Sequence, residues 1–308
     1  MHKMELTCYA GSLECLKAAL ESGADSVYVG GESFGRDTLS DDFSREDLIE
    51  GIKFAHENNK KVYVTINLLP HNKDFKEFEA YLKTLDELNV DAVIVSEAGT
   101  LITVKQILPE MKIHLSNVSN VYNYETANFW HEQGVDRVVI SRELSIKEME
   151  TMRLNTPESL ELEAYVHGPV IMSYSGRKLI TSYLESKGKD NYSSKKKYNL
   201  TEEKRQGQYS PVYEDEAGTI FFASRDLCMI EYLDKFIRAG VSTLTIEARL
   251  NDEKYVREVV PVYRKAIDDF YNNNFEYNCT EDMLETLKNA TPRKHTTGFY
   301  LDETIDYD

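Results

Sequence analysis

Four short stretches decide the fold. They are Gly23-Ala24-Asp25 before Ser26-Val27-Tyr28-Val29, Asn89-Val90-Asp91 before Ala92-Val93-Ile94-Val95, Gly134-Val135-Asp136 before Val138-Val139-Ile140, and Gly240-Val241-Ser242 before Leu244-Thr245-Ile246. Each opens with Gly or Asn, residues that take the left-handed conformation just past a helix and close its last turn. One small apolar and one small polar residue follow, and then a short apolar run suited to a strand buried on both faces. The same junction chemistry, met four times, points to one repeated helix-to-strand unit.

Filling the intervals predicts strands near residues 4–9, 26–30, 61–67, 92–96, 112–116, 137–141, 160–166 and 243–247. Segments 45–58, 74–88, 122–133 and 146–154 between them carry apolar residues at helical spacing. Ser44 with Asp47, and Ser145 with Glu148, have the Ser-x-x-acid form of a helix-starting capping box. A closing helix over 254–271 puts Val256, Val259, Val260, Tyr263, Ile267 and Phe270 on one stripe. Eight alternating units favour a closed, TIM-like (β/α)8 barrel over an open doubly wound sheet. The expected organisation is a barrel over 1–272, a long insertion after its seventh strand at 169–225, and a polar tail over 273–308 packed on the barrel. The centre of the insertion, 187–205, reads as a polar loop. A helix is expected to resume near Asp226, with Cys228 buried in it.

The chain carries a formal net charge of −17, which repels a phosphate backbone and argues against a self-sufficient nucleic-acid binder. Residues 177–205 run the other way, with nine Lys or Arg against four Asp or Glu, so any RNA contact is expected there. No apolar run is long enough to span a bilayer, and the first twenty residues lack the pattern of a secretory leader. A cytoplasmic chain is expected, with Cys8, Cys15, Cys228 and Cys279 as free thiols.

Barrel chemistry sits where the strands end. In chain order those ends offer Gly30-Gly31 with Arg36, then Asn67, Ser96-Glu97, Ser116-Asn117, Ser141-Arg142-Glu143, His167-Gly168 and Glu247-Ala248-Arg249. Arginine presents a planar fork that matches carboxylates, so a small anion is the natural guest of such a rim. Arg36, Asn117, Arg142, His167, Glu247 and Arg249 are the candidate binding residues, with no catalytic group assigned. The same arginines could instead tie neighbouring loops together through Glu143 and Glu247, and His167 could be a structural hydrogen-bonder.

Four motifs then appear in order. His167-Gly168 is followed by Ser173-Tyr174-Ser175-Gly176, then by Ser224-Arg225-Asp226-Leu227-Cys228. Ala239-Gly240-Val241 leads to Ile246-Glu247-Ala248-Arg249, and Arg293 precedes Thr297-Gly298-Phe299-Tyr300. Together they resemble the collagenase-like peptidase family U-thirty-two over nearly the whole chain.

The resemblance implies a choice of functions. The family name suggests proteolysis, yet His56-Glu57 and His131-Glu132 lack the second histidine of a zinc protease, and no Gly-x-Ser-x-Gly elbow is present. Other branches are hydroxylation proteins, including those that make 5-hydroxyuridine at the tRNA wobble position with prephenate as oxygen source. Such members hold a four-iron four-sulfur centre on cysteines whose equivalents here are Ile171, Lys178 and Ser194, with only Cys228 kept. Four thiolates are needed, so the resemblance implies no cluster in this chain. It implies instead a short companion of a longer, cysteine-bearing homologue, forming a heterodimer that binds a small anion such as prephenate. A collagenase-like peptidase and a non-catalytic scaffold barrel are the alternatives.

Overall fold

The computed structural model describes all residues except 1–2, 32–33, 35–42, 68–69, 189–195, 202, 204–206, 216–217, 303–304 and 307–308. The barrel units run β1 (Glu5–Ala10), α1 (Leu13–Glu21), β2 (Ser26–Gly30), α2 (Arg45–Glu57), β3 (Lys61–Thr65), α3 (Phe75–Glu87), β4 (Ala92–Val95) and α4 (Ala98–Ile107). They continue as β5 (Ile113–Leu115), α5 (Tyr124–Glu132), β6 (Arg137–Val139), α6 (Ile146–Leu154) and β7 (Glu161–Ser175). An insertion follows, with α7 (Leu179–Ser186), β8 (Lys196–Leu200), β9 (Ser210–Asp215) and β10 (Gly218–Cys228). The chain then returns through α8 (Leu233–Arg238), β11 (Thr243–Ile246) and α9 (Glu253–Asn272), and ends with α10 (Glu281–Ala290) and β12 (His295–Thr296).

Strands β1 to β7 pair in parallel in sequence order, and β11 pairs in parallel with both β7 and β1, which closes an eight-stranded barrel. The four junctions explain how. Asp25, Asp91 and Asp136 each send a backbone N–H to the neighbouring strand, at the carbonyls of Leu6, Val62 and Ile113. In return Oδ2 of each accepts the N–H of that same residue, at 3.0, 2.8 and 2.8 Å. Ser242 does the same with Leu162, donating to its carbonyl and accepting its N–H at 3.1 Å. The small polar residue thus extends each parallel ladder by one step, satisfying a strand-end N–H that would otherwise lose its partner. Both capping boxes form as the sequence predicts, Ser44 with Asp47 and Ser145 with Glu148.

Apolar faces of the helices pack on the outside of the strands in one continuous core. The barrel interior near the strand starts is polar instead. Arg137, 2% exposed, donates to Glu5 at 2.9 and 3.2 Å, to Glu161 at 2.7 Å and to Glu163 at 3.3 Å. Tyr28 donates to Glu163 at 2.8 Å, Thr245 to Glu163 at 2.7 Å, and Tyr63 to Glu5 at 2.8 Å. A buried cation is tolerable when several carboxylates surround it and their lone pairs are used, as here.

The insertion corrects the sequence reading. Strand β7 runs on to Ser175, beyond the barrel, and carries an antiparallel sheet in the order β7-β10-β9-β8. The described part of 169–225 is therefore a sheet with a docked helix. Glu214 anchors that helix by accepting N–H bonds from Ile180 and Thr181 at its first turn. No helix begins at Asp226: Asp226, Leu227 and Cys228 belong to β10, held between β7 on one side and, for the first two, β12 on the other. Pairing on both edges fixes the extended conformation there, and a short 3-10 turn and α8 follow. The tail also contains structure, since α10 packs on α9 and β12 joins β10. No described helix is long and apolar enough to cross a membrane.

Candidate active site at the barrel mouth

The C-terminal ends of the strands surround a cavity of about 350 Å³. Its wall includes the small polar residues Asn67, Ser96, Ser116 and Ser141, which follow β3, β4, β5 and β6 and are all nearly buried. Ser96 Oγ is buried without a hydrogen-bond partner among the described residues. Asn117 opens the short 3-10 turn after β5 and lines the same space.

Two arginines face this wall in different states. Arg249 is held by Glu247, donating Nε to Oε1 at 2.8 Å and Nη2 to Oε2 at 2.7 Å, and its guanidinium lies 3.9 Å from the ring centre of Tyr9. This two-point pair with a stacked face is the geometry that only arginine supplies. Arg142 donates to the carbonyl of Ile171 at 2.9 Å and sits 5.1 Å over the ring of Tyr165. Among the described residues it has no carboxylate partner. Glu143, beside it, takes a hydrogen bond from Ser141. Arg249 and Glu247 cancel, so among the described residues Arg142 is the cation left to meet a guest, with Glu143 also in the wall.

Of the sequence-predicted residues, Asn117, Arg142, Glu247 and Arg249 are brought together here. Arg36 and Ser194 lie outside the described residues. His167 goes elsewhere. Thr245 pairs with Tyr165 while its neighbour Ile246 pairs with His167, so Val166 is an extra residue in β7. Regular alternation would put Tyr165 and His167 on one face, and the bulge breaks that alternation. Tyr165 therefore lines the mouth, whereas His167 is fully buried against α9 and the tail. Its Nδ1 is 3.2 Å from the hydroxyl of Tyr263, and its ring packs on His295 and Tyr255. Burial, reinforced by His295, holds the imidazole well below its ordinary pKa. Gly168, at φ +102°, is required at this crossing because a Cβ would lie 2.1 Å from the carbonyl oxygen of Glu247.

Sequence reasoning missed Tyr9, Tyr165 and the Ser173-Tyr174 stretch as wall residues. Strand parity could have found the first, because Tyr9 sits two residues after the inward-facing Thr7. The same parity carries from the inward-facing Glu163 to Tyr165, and only Ser173-Tyr174 needed the long β7–β10 ladder. Ile171 also lines the mouth, while Cys228 is the ladder partner of His167 and stands with its sulfur 4.0 Å from the Tyr263 hydroxyl. Burial pushes that thiol up to about 12. Ile171 is paired with Phe222. Ile171 and Lys178 supply no sulfur and Cys228 faces α9, so these three positions do not fit an iron–sulfur cage. Among the described residues no three His, Cys, Asp or Glu side chains gather as a metal ion requires.

The profile of Peptidase family U32 matches residues 11–306 of this chain. The chain belongs to that family. Among curated U32-like relatives, tRNA hydroxylation protein P2 of Bacillus subtilis is 34% identical, over 99% of this chain and 100% of its own length. The P1 protein of the same organism is 33% identical over 97% of this chain and 71% of its own length. The Escherichia coli tRNA hydroxylation protein P is 34% identical over 99% and 76%. A solved U32 peptidase, Mk0906, superposes with a TM-score of 0.51 at 16% identity, covering 80% of this chain and 94% of its own, a likeness that bears on the fold alone.

Proposed function

We propose that this U32 protein is a subunit of a prephenate-dependent system that hydroxylates the tRNA wobble uridine to 5-hydroxyuridine in the cytoplasm, working beside a longer, cysteine-bearing homologue. A role in tRNA hydroxylation is supported by relatives of that name at 33–34% identity over nearly all of the chain. The observation that carries the rest is Arg142, a cation without a carboxylate partner among the described residues, which lines the mouth together with the stacked Arg249. Arg142 suits one carboxylate of a small dicarboxylate, and Arg249, held by Glu247, shapes the wall beside it. No cluster is bound in this chain, so electrons and the iron centre come from the partner, which forms a heterodimer with it. The basic stretch over 177–205 contributes RNA contact.

Proteolysis is the weaker reading, because the described wall holds serines and glutamates but no histidine or cysteine to form a nucleophile–base pair. The test is nucleoside mass spectrometry of tRNA from cells that depend on this route. Arg142→Ala and Arg249→Ala should each abolish 5-hydroxyuridine, and a tagged chain should co-purify the longer homologue. Unchanged modification in both variants leaves only a scaffold role, and gelatin cleavage by the isolated monomer would restore the protease.

A further inference from the structure

At the opposite end of the barrel, where the strands begin, a second and smaller cavity of about 280 Å³ opens. His114 of β5 borders it and is 2% exposed. Its Nδ1 lies 2.7 Å from the hydroxyl of Tyr28. Tyr28 gives its only proton to Glu163 Oε2 at 2.8 Å, so its oxygen can only accept from the imidazole. The N–H of the neutral ring is therefore on Nδ1, and Nε2 carries the lone pair. No described residue hydrogen-bonds Nε2. The atom is not among the buried ones left without a partner, so it opens onto the cavity, where a guest can supply the donor.

The surrounding charge narrows the guest. Lys61, Lys112 and Arg137 line the cavity and depress the basicity of His114, with burial as the larger cause. Lys112 is exposed and has no ion-pair partner among the described residues. Three carboxylates, Asp91, Asp136 and Glu161, also face the cavity and keep their charge, but each turns an oxygen to a protein donor. Asp91 and Asp136 accept the N–H groups of Val62 and Ile113, and Glu161 is held by Arg137 at 2.6 Å. Lys61 sits 3.8 Å from Glu5.

We propose that the barrel floor is a second ligand site that takes a small oxyanion carrying a proton of its own, hydrogen phosphate or a short hydroxy acid. The hydroxyl is donated to His114 Nε2, and the anionic oxygens lie between the ammonium groups of Lys61 and Lys112. The site is independent of the mouth and of its proposed chemistry.

Sulfate matches hydrogen phosphate in size and charge but has no proton to give at neutral pH, which makes it the decisive control. With ¹⁵N-labelled histidine in the full chain, millimolar phosphate should shift the His114 Nε2 resonance, and sulfate should bind roughly tenfold or more weakly for want of that hydrogen bond. Glycolate against acetate repeats the contrast for a hydroxy acid, and the stronger of phosphate and glycolate names the source. Lys112→Gln, a substitution on the exposed rim that spares the fold, should weaken binding by a similar factor. The proposal is overturned if neither phosphate nor glycolate moves His114. Equal binding of sulfate and phosphate together with equal binding of acetate and glycolate, or indifference to Lys112→Gln, also overturns it.

Discussion

Asp136 and Ile113 exchange two hydrogen bonds across neighbouring elements: the Asp136 N–H reaches the Ile113 carbonyl at 2.9 Å, and Asp136 Oδ2 takes the Ile113 N–H at 2.8 Å. The same exchange links Asp25 with Leu6, Asp91 with Val62 and Ser242 with Leu162, so three aspartates and one serine set where four ladders start. A carboxylate makes the stronger bond. Asp136→Ala should cost about 1.5–3 kcal/mol and Ser242→Ala about 0.5–1.5 kcal/mol, the ranges for charged and neutral acceptors. Urea unfolding at neutral pH reads both, with unchanged slope; equal losses would mean that charge is not what strengthens the aspartate junctions.

Arg137 is the hinge of the polar barrel interior. Burial raises both Glu5 and Glu163, but around Glu5 the Arg137 guanidinium outweighs it and holds the carboxyl below its usual range, while Glu163 stays raised. Arg137→Met leaves both carboxylates buried without their cation and should cost about 3–5 kcal/mol. The folded state keeps the Glu5 proton off more strongly than the unfolded chain does. Its stabilisation is therefore present above the unfolded value of about 4.3 and lost as pH falls below it. Glu5→Gln should flatten the fall in wild-type stability over that acid range, followed by denaturant unfolding. A slope identical to wild type would remove Glu5 from the account.

The barrel was legible because its signals are local. Gly134 or Asn89 past a helix, Asp136 or Asp91 after it, and a short apolar strand need no distant partner to be recognised. Strand ends follow from strands, so Asn117, Arg142, Glu247 and Arg249 fell into the mouth as expected. His167 did not, because the bulge at Val166 arises from pairing with β11, nearly eighty residues away, and a one-residue slip reverses a side chain. The strands β8 to β10 were hidden for a related reason, since their order depends on pairing with one another and with the extension of β7. Arg137 and Glu163 ran against the expectation of an apolar interior, although polar residues two apart in β1 and β7, Glu5 with Thr7 and Glu161 with Glu163, were visible in the sequence.

The tail docks through His295, whose pKa burial, then Lys288, pushes down to about 4. An unfolded histidine titrates near 6.5, so between about 6.5 and 4 the unfolded chain binds the extra proton and the folded one does not. Stability should fall as pH falls through that window, by on the order of 3 kcal/mol from this residue at its lower end. His114 and His167, also depressed, add in the same direction. His295→Gln should reduce the slope, with hydrogen exchange across 291–297 as the local reporter. Loss of protection there in wild type but not in the variant fits this account, and an unchanged slope in His295→Gln would refute it.

The two mouth arginines should separate under conservative substitution. Arg249→Lys keeps the charge but loses the two-point bond to Glu247 and the stack on Tyr9, leaving a carboxylate that is 3% exposed without its full complement of donors. It should cost about 2–4 kcal/mol, read as a lowered thermal midpoint. Arg142→Gln gives up one hydrogen bond to Ile171 and a ring contact, and should cost about 1 kcal/mol. Titration calorimetry with prephenate reads the other half: Arg142→Gln should weaken binding roughly tenfold or more while the protein stays folded. Full binding by folded Arg142→Gln would take the anion away from this arginine, and with it the reason to place a dicarboxylate in the mouth.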